Sequence, residues 1–163
     1  MSDDLDFERL WSEHAQPLLR FLIYRTNDRT LSEDILGATF ERAIRSRRRF
    51  DRRRATEKTW LYSIALNLVR DHARHEAVVA STIERGLLTP ATQSGAEIID
   101  QAESRAAIRQ SLEVLAPEER EAIALRYGAD LTMPQIAKLT DVPLTTVEGR
   151  IYRALQKLRR QLE

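Results

Sequence analysis

Six arginines fall among the nine residues "SRRRFDRRR", Ser46 to Arg54, in a chain of 163 residues whose formal net charge is only +1. Guanidinium groups at this density have two ordinary uses. They hold the oxygens of a polyanion, or they solvate a helix end. Charge along the chain bears on the choice. Residues 1–41 carry a net −5, residues 42–75 a net +8, residues 76–135 a net −5 and residues 136–163 a net +3. Two basic blocks separated by acidic ones imply two contacts with a polyanion, not one uniformly basic surface.

The second basic block has its own pattern. "TMPQIAKLT" opens with Thr132 and Gln135 in capping-box spacing, and three residues later "LTTVEGRIYRALQKLRRQLE" begins a strongly amphipathic helix. Val147, Ile151, Leu155, Leu158 and Leu162 form its apolar stripe, and Arg150, Arg153, Lys157 and Arg160 its basic side. Two short helices joined by a tight turn, the second basic, make a helix-turn-helix pattern, in which the second helix enters the major groove of DNA. The plain alternative is a helical hairpin with a solvated basic face. Thr145 and Glu148 repeat the capping-box spacing.

The elements that must position these groups all read as helices. "FERLWSEHAQPLLRFLIYRT" spaces Phe7, Leu10, Trp11, Leu18, Leu19, Leu22 and Ile23 by three, four and seven, with Pro17 as a break or bend. Ser32 is placed to cap a helix that turns Ile35, Leu36, Phe40 and Ile44 inward. "RFDRRRATEK" is polar and aperiodic, a loop. "TWLYSIALNLVRDHARH" buries Leu61, Ile64, Ala65, Leu68 and Val69, with Trp60 anchoring its first turn. From 77 to 99 the period is lost, which predicts a linker between a unit at 1–76 and a second at 100–163. In the second unit, "PEEREAIALRYG" has Pro117 near a helix start and Gly128 near its end. No segment reads as a strand. The fold class expected is all-α: two small helical domains and a flexible linker.

Several function classes are excluded or disfavoured. With no cysteine there is no disulfide, thiolate metal site or thiol nucleophile. No phosphate-binding glycine loop, nucleophile elbow or carboxylate pair is evident, so no enzymatic activity is expected. His72 and His75 lie one turn apart without a third ligand, so no metal and no other cofactor is expected. The acidic start "MSDDLDFERLW" has no apolar signal core and no stretch approaches a membrane span, which predicts a cytoplasmic protein without membrane insertion.

Three segments, in order, carry a resemblance to a known family. "LAPEEREAIALRYGADLTMPQIAKLTDVPLTTVEGRIYRALQKLR" resembles the promoter −35-binding domain of bacterial extracytoplasmic-function (ECF) sigma factors. "EDILGATFERAIR" resembles their core-polymerase-binding helix and "TWLYSIALNLVRDHAR" their −10-reading helix. The resemblance implies an alternative sigma factor whose partners are core RNA polymerase, promoter DNA and an anti-sigma factor. It implies polymerase contacts at Asp34, Glu41 and Arg45. It makes "FDRRRATEK" a loop that captures a base flipped from the melted strand.

Base capture needs apolar walls, hydrogen-bond donors and nearby cations. The matching −10 residues are Phe50, Arg52, Arg53, Arg54, Tyr62, Asn67, Arg70 and Arg74, with Ile64 at most on the pocket floor. Phe50 and Tyr62 can equally be core residues, and Arg47 to Arg49 a solvated helix end. The −35 set is Thr145, Thr146, Glu148, Gly149, Arg150, Tyr152, Arg153 and Lys157.

Two departures from the family pattern matter. Gly37 and Ala38 stand where the family usually has Gln and an acidic residue. Glu148 and Gly149 stand where it commonly has a basic residue and Ser. A groove-facing Glu148 would accept a hydrogen bond from cytosine N4, but completing the capping box is the preferred reading. Other classes consistent with the sequence are a sigma-like decoy for an anti-sigma factor and a stand-alone helix-turn-helix regulator.

Overall fold

The computed structural model describes residues 5–84, 86 and 102–163, and among them every regular element is helical. α1 (Phe7–Thr26), α2 (Arg29–Arg45) and α3 (Glu57–Glu84) form one group; α4 (Ala102–Glu113), α5 (Pro117–Ile123), α6 (Met133–Thr140) and α7 (Leu144–Leu162) form the other. A 3-10 turn, Arg47–Arg49, follows α2, and a π-helical segment, Ala124–Gly128, extends α5.

Pro17 neither breaks nor divides α1, which runs unbroken through it. Proline removes one backbone donor, but Leu10, Ala15, Leu18, Phe21 and Leu22 bury on both sides of it and hold the helix together. The α2 start also differs from expectation. Asp28, not Ser32, is the N-cap, accepting from the Leu31 amide at 3.1 Å. Ser32 lies one turn inside, fully buried, its hydroxyl 2.7 Å from the Asp28 carbonyl and 2.8 Å from the Thr26 hydroxyl. Both side-chain types cap well; the backbone leaves the extended region at Asp28, so the cap falls there.

Trp11 and Ile44, assigned inward by spacing, are 48% and 45% exposed. Trp11 sets its ring against the buried Phe40 in an edge-on contact, centroids 4.7 Å apart. α3 continues to Glu84, past the linker start expected at 77; the rest of that expected linker, apart from residue 86, lies outside the described residues.

In the second group, both bonds of the Thr132–Gln135 capping box are formed, at 2.8 and 3.3 Å. Asp141 ends α6 at φ 57°, the left-handed region that Asp tolerates, and Pro143 opens α7 immediately afterwards. That tight turn sets Ile136 of α6 into one core with Val147, Ile151 and Ala154 of α7. Arg120 donates to the Leu112 carbonyl at 2.9 and 3.1 Å, which satisfies an open end of α4.

Gly37 is exposed inside α2, and a methyl group added there would meet nothing within 4 Å. Replacing Gly37 by Ala therefore adds helix propensity without a clash and should stabilise the protein by about 1 kcal/mol. Urea unfolding should show a higher midpoint at an unchanged slope.

Candidate nucleic-acid interface

The arginine run divides between two local structures. Arg47, Arg48 and Arg49 form the exposed 3-10 turn, and Asp51 to Arg54 form a second turn. Asp51 organises the second by accepting from the Arg53 amide at 2.9 Å, while its other oxygen lies 3.8 Å from Arg54 Nε. Arg52 faces Glu57 at 3.5 Å, the same carboxylate that takes Arg9 at 2.8 and 3.1 Å. Hydrogen bonding and attraction to Glu57 raise the Arg9 pKa still further. The turn is pinned by aromatic stacking: Phe50 lies on Trp60 with centroids 4.6 Å apart and planes at 29°.

This changes the aromatic lining expected for the loop. Tyr62 is fully buried, with its ring 5.2 Å from Phe21 and its hydroxyl without a partner. Burial pushes its pKa up to about 12. It belongs to the core and presents nothing to a base. Ile64 is buried as well, in the stripe that α3 turns toward α1 and α2. Trp60, half-buried beside the arginine turn, supplies the aromatic surface instead. Its neighbour Phe50 is half-buried too, so the pair forms a partly open wall. The signal available in the sequence was position: Trp60 is the first aromatic of α3, adjacent to the loop.

On α3, Asn67 and Arg74 are exposed, Arg74 beside Asp71. Arg70 is half-buried and donates to Glu121 of α5 at 3.1 Å. On α2, Asp34, Glu41 and Arg45 are exposed, and Arg45 pairs with Glu41 at 2.6 Å.

The expected Thr145–Glu148 capping box does not form. Pro143 occupies the cap position with extended backbone, φ −59° and ψ 148°, so Thr145 lies inside the first turn of α7. Glu148 is consequently exposed, on the outward face with Thr145 and Tyr152. Thr146, Gly149 and Arg150 are half-buried, and the Arg153 guanidinium folds back to within 3.1 Å of where a Gly149 side chain would begin. Lys157 turns inward to Glu119 at 2.8 Å, an ion pair that ties α7 to α5. The Lys157 side chain remains 40% exposed beside this pairing.

A separate trio, Glu13, His14 and Glu57, brings one ligand atom from each within 4.8 Å of the others. Arg9 already bridges the two carboxylates, at 3.0 Å to Glu13 and 2.8 Å to Glu57, so a guanidinium supplies the positive charge there. Burial lowers the His14 pKa.

Residues 10–78 match Sigma-70 region 2, and residues 105–158 match Sigma-70, region 4. Over 157 residues the chain is 32% identical to RNA polymerase sigma factor CarQ of Myxococcus xanthus, covering 96% of this chain and 88% of CarQ. It is 31% identical to the ECF RNA polymerase sigma factor SigW of Bacillus subtilis, covering 80% of this chain and 75% of SigW. The chain belongs to the ECF RNA polymerase sigma factors. As an alternative sigma factor it directs promoter-specific initiation of transcription.

The ECF sigma factor BldN of Streptomyces coelicolor is 27% identical, and the chain spans 60% of BldN's length. Among solved structures, the Bartonella quintana sigma factor RpoE in complex with the anti-sigma factor NepR shares the fold, with a TM-score of 0.79, 20% identity and 96% of each chain covered. CnrH in complex with the cytosolic domain of CnrY gives a TM-score of 0.72 at 25% identity, over 96% of this ECF sigma factor and 86% of CnrH.

The position of Tyr62 yields a prediction. Replacing it with Phe removes a buried hydroxyl that has no partner, so stability should rise by up to about 1 kcal/mol. Binding to promoter DNA should not change, because the hydroxyl does not reach the surface. Thermal unfolding and fluorescence anisotropy on the same variant check both halves; a loss of DNA affinity would return Tyr62 to the interface.

Proposed function

We propose that the two helical groups divide promoter reading between them, α1 to α3 taking the −10 element and α4 to α7 the −35 element. The observation that carries this reading is the arginine turn stacked beside the exposed part of α3, with a helix-turn-helix on the second group. Phe50 and Trp60 form the wall against which an unpaired base stacks. Arg52, Arg53 and Arg54 hold the phosphates around it, and Asn67, Arg70 and Arg74 continue the contact along α3. Melting needs no hydrolysis: preferential binding of the unpaired strand shifts the duplex toward its open form.

α7 enters the major groove with Thr145, Thr146, Glu148, Gly149, Arg150, Tyr152 and Arg153. An outward Glu148 suits a cytosine, through its N4 donors. Asp34, Glu41 and Arg45 on α2 meet core RNA polymerase, next to the exposed Trp11 and Ile44. An anti-sigma factor is a further partner, a reading supported by the likeness of this fold to RpoE bound to the anti-sigma factor NepR. The protein contributes recognition, not a reaction of its own, and works in the cytoplasm where polymerase is. Among the described residues no helix is long and apolar enough to cross a membrane.

Transcription on fragmented genomic DNA, with bacterial core polymerase and this protein, tests the reading. New 5′ ends should share −10 and −35 sequences. No new ends, while the same core works with its housekeeping sigma factor, would overturn it. Replacing Arg52, Arg53 and Arg54 together with Ala should weaken holoenzyme binding to those promoters. It should also flatten the dependence of log affinity on log salt by about 2, the value for three single-strand phosphates.

A further inference from the structure

The two helical groups meet along one seam, and a carboxylate lies at its centre. The Glu121 side chain on α5 is 11% exposed; one oxygen accepts from Arg25 Nε at 2.9 Å and the other from Arg70 Nη2 at 3.1 Å. Both arginines belong to the other group, Arg25 at the end of α1 and Arg70 on α3. Beside them the π-helical segment lies close on α1: a methyl group at Gly128 would come 3.7 Å from the Tyr24 ring. Further along, Lys138 of α6 donates to the Arg54 carbonyl at 3.3 Å. The seam thus touches both parts of the proposed −10 surface, the arginine turn and α3.

We propose that Glu121 occupies on Arg70 the place of a DNA phosphate, latching the free chain in a closed form that −10 DNA must displace. The proposal rests on the assignment of Arg70 to the −10 contact. A guanidinium offers the same planar donors to carboxylate and phosphate, so the two anions compete for one group. The latch is reversible for a physical reason. Burying Glu121 and Arg25 forfeits much of their hydration, which offsets part of the attraction, and opening the seam returns both to water while freeing the already 39% exposed Arg70. Three like-for-like features favour this reading over a static structural pair: the partners come from different helical groups, one has a DNA-facing neighbourhood, and a second seam contact also falls on the DNA-binding turn.

The chain has no cysteine, so paired labels can be introduced cleanly. Ser12 and Gln161, both exposed and outside the seam, are replaced by Cys and spin-labelled in the full chain. The parent should give one narrow distance; Glu121→Gln and Arg25→Gln should each broaden and lengthen it. Affinity for a short fluorescein-labelled single strand of mixed sequence should rise about tenfold in Glu121→Gln, the gain expected when one chain in ten is open beforehand.

Adding Arg70→Gln to Glu121→Gln should abolish most of that gain. Arg25→Gln carries the test if the Glu121 variant fails to fold, since Arg25 is outside the DNA-binding set. Unchanged distances and affinity in folded variants would overturn the latch. Genomic transcription with the parent protein separates the two claims: promoter-specific starts with an unmoved seam remove the latch alone. An opening seam without starts removes the sigma assignment of this surface and leaves the closed form to be explained otherwise.

Discussion

Phe21 is the point at which two helical groups share one core. Its ring is fully buried against Tyr62 of α3, while its Cα lies 3.9 Å from where a Gly128 side chain would begin. α1 is therefore buried on more than one side: it supports α2 and α3 and also receives the π-helical end of α5. That end is shaped for the approach by wider hydrogen-bonded turns, the Ala129 amide reaching back to the Ala124 carbonyl at 2.9 Å. Apolar contact brings the groups together, and it is this contact that carries Glu121 to its two arginines. Without Phe21 and its neighbours as a floor, a carboxylate at that position would lie in water and bind nothing.

The same core limits what the candidate DNA surface can contain. Tyr62, Ile64 and Val69 are used up in packing, so α3 can offer DNA only the residues on its opposite side. Around the arginine turn, Arg54 lies 3.8 Å from Asp51, and both side chains are exposed. Ion pairs of this exposed kind contribute little to stability. A phosphate can therefore replace Asp51 on Arg54 at small cost, while the Phe50–Trp60 stack keeps the turn in place. The Arg54 charge is thus positioned by the aromatic stack and only loosely held by its carboxylate.

How much of this was legible in the sequence depends on the range of the interaction. Helix periodicity and the Thr132–Gln135 box are local: the box formed as read, and the period gave the helices but set Trp11, Ile44, Leu155 and Leu162 inward where they are exposed. The competition between Asp28 and Ser32 is local too, but both residue types are good caps, and only the backbone decided between them. Likewise Pro143 displaced the Thr145–Glu148 box by starting α7 two residues early. Trp60 and Tyr62 exchanged roles because a period gives the buried face of a helix but not the height at which a neighbouring loop crosses it.

Glu121 was beyond any such reading. Within α5 it follows Glu118 and Glu119, where acidic residues ordinarily compensate the positive end of a helix. Its partners are 96 and 51 positions away in the chain. No pattern of spacing can join residues so far apart, and the charge blocks that revealed two basic surfaces give no sign that an acidic block closes over one of them. An acidic residue that pairs across a seam with arginines of the other helical group is invisible until the fold is known, because spacing along the chain carries no record of which distant cation it meets.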